Sequence, residues 1–132
     1  MSDMRLHHVG VLMPSEEAAA QFMRLIGLEE DYRGYVPEYK ALCIFAKGSG
    51  ASAVELVVPQ GGKLAEYKEG KPALHHLAFA VDDLRAVQAS YAERGMPLLD
   101  NQPVQGAGEF IVNFLRPRHT GGILVEFVQE KA

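Results

Sequence analysis

The chain repeats itself. Leu6-His7-His8-Val9 returns 68 positions later as Leu74-His75-His76-Leu77, and Val54-Glu55-Leu56-Val57 returns 71 positions later as Val125-Glu126-Phe127-Val128. In a chain of 132 residues, a repeat of this period restricts the fold to two like units, each covering a face that the other cannot cover alone. The repeat also carries an ionisable pair, one His near the start of each half and one Glu near its end. Such groups are costly inside apolar runs unless they are paired or ligating, so their recurrence at equivalent places points to one shared site.

The same plan runs through both halves. Residues 6 to 12 read as a strand, and Pro14-Ser15-Glu16-Glu17 supplies an N-cap and acidic first turn for a helix with Ala18, Phe22, Leu25 and Ile26 on one stripe, stopped by Gly27. Residues 75 to 81 read as a strand too, and Asp82-Asp83 caps a helix with Leu84, Val87, Tyr91 and Ala92 inward, ended by Gly95. Three strands follow each helix: 32 to 36, 40 to 47 and 53 to 58, then 98 to 101, 109 to 116 and 122 to 129. The expected fold is therefore α+β, with two βαβββ modules (about 4–60 and 74–130) pairing into one curved eight-stranded sheet. The connector, 61–73, holds a polar stretch from Lys63 to Glu69 with room for one or two helical turns.

Side chains alternate across a strand. On that parity His8 shares a face with Leu6, Gly10 and Leu12, while His7 goes with Val9 and Val11 under the helix. His76, Glu55 and Glu126 fall on the same concave face as His8, and His7 and His75 are read as structural. Two imidazoles and two carboxylates with no thiolate suit a divalent ion such as Ni, Co, Zn, Mn or Fe, with positions left for water or substrate.

Bulk properties narrow the function. A net charge of −4, with no basic cluster denser than Arg116-Pro117-Arg118, argues against nucleic acid as a partner. Cys43 is the only cysteine, and Met1-Ser2-Asp3 does not open a targeting signal, so the expected location is the cytosol. No run approaches the roughly 20 apolar residues of a membrane span. Arg116, Arg118, His119 and Thr120, at the last hairpin, are candidates for holding a substrate carboxylate or phosphate, and Asn113 for lining the cavity.

These residues resemble the signature of the vicinal oxygen chelate superfamily over essentially the whole chain. Leu74-His75-His76-Leu77-Ala78-Phe79-Ala80-Val81-Asp82-Asp83, Asn113-Phe114-Leu115-Arg116-Pro117 and Thr120-Gly121-Gly122-Ile123-Leu124-Val125-Glu126 look most like methylmalonyl-CoA epimerase. Pro37-Glu38-Tyr39-Lys40 is compatible with that family and with glyoxalase I (lactoylglutathione lyase). Epimerases typically have Gln where this chain has Glu55, whereas bacterial glyoxalase I has the His, Glu, His, Glu set. The resemblance implies a metal-dependent lyase or isomerase that moves a proton beside a chelated carbonyl of a thioester or hemithioacetal. By analogy with glyoxalase I, a ligand carboxylate, Glu126 or Glu55, is the catalytic group. Epimerases of this family also carry a Glu base on the third strand, and aligning Tyr39 to Lys47 with that strand puts Leu42 there, whereas a shifted alignment would give the place to Glu38. The resemblance further implies a homodimer.

Two other classes stay open. His8, His76 and Glu126 alone would make the facial triad of an iron dioxygenase, although Glu55 would fill a position that oxygen chemistry needs. A non-catalytic small-molecule binder is the third, and the full ligand set counts against it.

Overall fold

The computed structural model describes residues 4–131. Met1, Ser2 and Asp3, read above for a targeting signal, lie outside the described residues. Module one runs β1 (Arg5–Leu12), α1 (Glu16–Ile26), β2 (Glu29–Val36), β3 (Ala41–Lys47) and β4 (Ala53–Pro59). The connector forms the short helix α2 (Gly62–Glu66) and a 3-10 turn over Tyr67–Gly70. Module two runs β5 (Ala73–Ala80), α3 (Leu84–Glu93), β6 (Val104–Gln105), β7 (Phe110–Leu115) and β8 (Val125–Glu130). All eight strands join one sheet in the order β2-β3-β4-β1-β5-β8-β7-β6. The antiparallel β1–β5 pair is the seam between the modules, and within each module the first and last strands pair in parallel, β1 with β4 and β5 with β8. Among the described residues, no helix is long and apolar enough to cross a membrane.

The caps act as the sequence implies. Ser15 Oγ and Asp83 Oδ1 accept from the backbone N–H groups of Ala18 and Ala86, and Gly27 closes α1 at φ 89°, a left-handed conformation that favours glycine. The buried faces are rotated from expectation. Ala19 and Met23 carry the burial of α1, whereas Leu25 is 87% exposed and Ile26 also faces out. In α3, Leu84 is buried and Val87 and Tyr91 pack on the core, but Ala92 is exposed.

Parity sorts the core into two sides. Ile44, Leu56 and Val58 pack beneath α1 with Met23, and Leu115 and Phe127 pack beneath α3 with Leu84. Leu12, Cys43, Phe45, Val57, Val112 and Val128 cover the concave face.

The expected strand at 98–101 is instead irregular, and β6 forms later and spans only two residues. Pro97 and Pro103 bracket this stretch and cannot donate to a ladder. A side chain replaces the missing ladder: Asn113 Oδ1 accepts from Asp100 N and Phe114 N, while its Nδ2 donates to Asp100 O and Gln88 Oε1. The last strand likewise starts at Val125 rather than 122, because Gly121 and Gly122 adopt positive φ and Thr120 Oγ1 closes the turn on Ile123.

Candidate active site

Two small residues make room for four large ones. Across β4, β1 and β5 the register sets Glu55, Gly10 and His76 side by side. Across β1, β5 and β8 it sets His8, Ala78 and Glu126 side by side. Neighbouring strands lie about 4.8 Å apart, so each His and Glu start roughly 10 Å apart at the backbone and meet above the small residue between them. A Cβ built on Gly10 would overlap the His76 ring and lie 2.7 Å from its Nε2.

His8 Nε2 lies 2.9 Å from Glu126 Oε1, 3.3 Å from Glu55 Oε1 and 3.1 Å from His76 Nε2. His76 Nε2 lies 3.2 Å from Glu55 Oε1 and 3.3 Å from Glu126 Oε1. All four side chains are buried, His8 almost completely. His8, His76 and Glu126 form the tightest donor group, and Glu55 reaches both imidazoles. Donors held about 2.1 Å from one ion at right angles stand about 3.0 Å apart, close to the separations here. Glu126 Oε1 is within ion-pair distance of both imidazoles yet has no hydrogen bond of proper geometry, a buried anionic oxygen without a donor. The donor set and this orphaned oxygen fit a divalent ion.

Burial disfavours protonation of His8 and His76, but the two carboxylates outweigh it and push His8 up to about 9 and His76 up to about 10. Burial works in the other direction on Glu55 and Glu126, and the imidazoles outweigh it, holding both carboxyls well below their usual range. Without an ion the two carboxylates thus favour protonated over neutral imidazole in the cluster. The raised His values stabilise the fold fully below their ordinary 6.5, and this contribution fades as pH rises through 9 to 10. The lowered Glu values contribute above the usual carboxylate range near 4.5 and fade as pH falls below it. An ion needs neutral imidazoles, so its binding at pH 7 is expected to release protons and to tighten as pH rises above 7. Calorimetry in buffers of different ionisation enthalpy measures this, and an ion bound at pH 7 without proton release would refute the assignment.

Glu55, His76 and Glu126 line a cavity of about 630 Å³, whose walls include Val57, Phe110, Val112, Phe114 and, from the connector, Leu64 and Tyr67. A second cavity of about 380 Å³ adjoins it and shares Tyr67, His75, His76 and Leu124. Tyr39 OH donates to Asp100 Oδ2 at 2.7 Å, tying the β2–β3 turn of one module to the other. Burial and this bond raise the Tyr39 phenol and keep it protonated. Burial likewise keeps the Cys43 thiol protonated, so it lines the cavity as a small apolar group.

Several expected site residues belong elsewhere. Asn113 is fully buried on the α3 side, and its amide is committed to the backbone of Asp100 and Phe114 and to Gln88. Arg116 donates to the carbonyls of Pro97, Leu98 and Leu99. Arg118 Nε donates to His119 Nε2, and Thr120 bonds its own turn. None of these five lines either cavity. His7 and His75 depart from strict strand alternation and do not turn under the helices. His75 lines both cavities, and His7 meets Phe45 and Phe110 on the concave side. Leu42 packs toward α1, so it does not occupy a cavity-facing base position, whereas Glu38, in the β2–β3 turn, lines the cavity. The signal for Glu38 lay in the Pro37-Glu38-Tyr39-Lys40 segment.

A model of the Glyoxalase/Bleomycin resistance protein/Dioxygenase superfamily matches residues 7–114. The ethylmalonyl-CoA/methylmalonyl-CoA epimerase of Cereibacter sphaeroides is 33% identical over 131 residues, covering 95% of this chain and 97% of that protein. A solved structure of the Streptomyces coelicolor methylmalonyl-CoA epimerase with a Glu→Leu substitution, in complex with 2-nitronate-propionyl-CoA, superposes with a TM-score of 0.87 at 26% identity, covering 99% of this chain and 97% of that one. The same enzyme with a Gln→Ala substitution seventeen positions further on superposes at 0.86 and 25% identity, covering 99% and 100%. The chain belongs to the glyoxalase/bleomycin resistance protein/dioxygenase superfamily, and methylmalonyl-CoA epimerases are its homologues.

Proposed function

We propose that the protein is a divalent-metal-dependent epimerase acting on a short 2-alkylmalonyl-CoA thioester of the methylmalonyl-CoA class. The observation that carries this reading is that Glu38 and Glu126 line one cavity from opposite halves of the sheet. Inverting a carbon requires one proton-carrying group on each of its faces. Glu38 and Glu55 are also separated by the same seventeen positions as the Glu and Gln substituted in the Streptomyces enzyme.

His8, Glu55, His76 and Glu126 would hold the ion, which when bound supplies Lewis acidity to the thioester and carboxylate oxygens flanking the reacting C–H. One carboxylate takes the proton as the C–H bond breaks and its electrons move into an enolate. The other, in its acid form, returns a proton to the opposite face. Glu38 is exposed to solvent, while Glu126 sits in the buried cluster. The apolar walls suit a small alkyl substituent, and the open side leaves the CoA portion a way out. Leu74 and Ile123, exposed apolar residues beside the second cavity, are the surface that a second copy would cover in a homodimer.

The test is NMR exchange in deuterated buffer with cobalt- or nickel-loaded protein, comparing methylmalonyl-CoA with the methylglyoxal–glutathione hemithioacetal. Exchange is expected at C2 of the thioester alone, lost on chelation and restored by metal, with light scattering giving twice the chain mass. Exchange confined to the hemithioacetal would replace the epimerase reading with a lyase.

A further inference from the structure

The β1–β5 ladder slips twice, and both slips fall beside a ligand. Leu6 pairs with Phe79 and His8 with Ala78, which leaves His7 unopposed. Gly10 pairs with His76 and Val11 with Leu74, which leaves His75 unopposed. These are β-bulges at positions related by the 68-residue repeat, and a bulge re-aims the extra side chain out of strict alternation. The consequence is a contact that adjacent strand residues otherwise cannot make: His7 Nδ1 lies 2.7 Å from His8 Nδ1, and His75 Nδ1 lies 2.8 Å from His76 Nδ1. In each pair the rings cross steeply, at 74° and 87°.

Two ring nitrogens at that distance are held by a single proton between them. His8 and His76 turn Nε2 toward the four-donor cluster. A ligating Nε2 carries no proton, so the proton of a neutral ligand imidazole sits on Nδ1 and is donated outward. His7 and His75 must then accept at Nδ1 and carry their own protons on Nε2. For His7 that nitrogen lies 3.6 Å from Glu130 Oε2, and Glu130 is also paired with Arg5. The reverse tautomer at His7 would place the His8 proton on Nε2 and block the site.

We infer that His7 and His75 are positioning residues that fix the Nδ1–H tautomer and ring plane of His8 and His76, so that both present Nε2 to a divalent ion. This inference rests on the metal-dependent reading above.

Cobalt titration by calorimetry tests it with His7→Phe and His75→Phe, which keep the ring and remove the acceptor, and His7→Asn and His75→Asn, which restore an acceptor oxygen. Phe at 7 keeps the ring contacts with Phe45 and Phe110. Each Phe variant is expected to bind cobalt about 10- to 100-fold more weakly than the native chain, with much of the loss recovered in the Asn variants. A second readout separates positioning from general stability: in proton NMR of the cobalt-loaded protein, His7→Phe should lose the slowly exchanging Nδ1–H signal of His8 and keep that of His76, with the converse for His75→Phe. Native protein that fails to bind cobalt overturns the metal reading and the inference with it. Native binding with Phe variants that match it and retain both signals overturns the inference alone.

Discussion

Replacing Gly10 by Ala is expected to weaken divalent-metal affinity about 100-fold or more while leaving the sheet intact. The added methyl would overlap the His76 ring, which stands directly across the ladder. His76 must swing away, and its Nε2 then leaves the position 3.1 to 3.3 Å from the other donors. Displaced outer partners of a metal site already cost 10- to 100-fold, and moving a ligand itself costs at least as much. Ala is better tolerated than Gly in strand backbone, so the fold has no comparable reason to suffer. Ala78→Gly is the control. Ala78 takes the equivalent place between His8 and Glu126, and removing its methyl opens space, at a stability cost of about 0.5–1 kcal/mol. Calorimetric titration of both variants decides the point, and Gly10→Ala binding metal like the native chain would show that the ligands do not depend on this gap.

Glu38→Gln is expected to lower epimerisation about 10²- to 10⁴-fold without changing metal affinity. Glu38 lies in the turn between β2 and β3, clear of the four donors, so the cluster should bind metal as before. Its loss removes the carboxylate on one face of the reacting carbon only. One enantiomer of methylmalonyl-CoA should therefore still exchange its C2 proton through Glu126, while inversion stops. Chiral analysis combined with deuterium incorporation separates the two. Equal loss of exchange from both enantiomers would mean that Glu38 is not one of a pair of bases.

The repeat made much of this arrangement legible. Two copies of a strand with a central His, and two of a strand with a central Glu, brought four costly residues to one face, and the order of the sheet follows from pairing the copies. The caps at Ser15 and Asp83 were readable because N-capping is a local interaction between neighbours in sequence. What escaped depended on partners far along the chain. Strand parity puts His7 and His75 under the helices, but the bulges that turn them inward arise from the match between β1 and β5. Asn113, Arg116 and Thr120 have the chemistry of a binding site and spend it on backbone groups of loops that proline and glycine keep out of the ladder. Counting along the third strand reached Leu42, whereas Glu38 enters the cavity from the turn before it.

The four donors are divided evenly between the halves of the chain, and this bears on its mechanics. His8 and Glu55 come from the first module, His76 and Glu126 from the second, and among the described residues the strand ladder joining the modules is the β1–β5 seam. Each His contacts both Glu residues, so every half contributes one pair that is closed only by the other. A common ion would gather residues spread from position 8 to position 126 and so forbid most of the separations open to the unfolded chain. Coordination by these four residues would thus act as a topological cross-link, holding the two repeats together as one cooperative body.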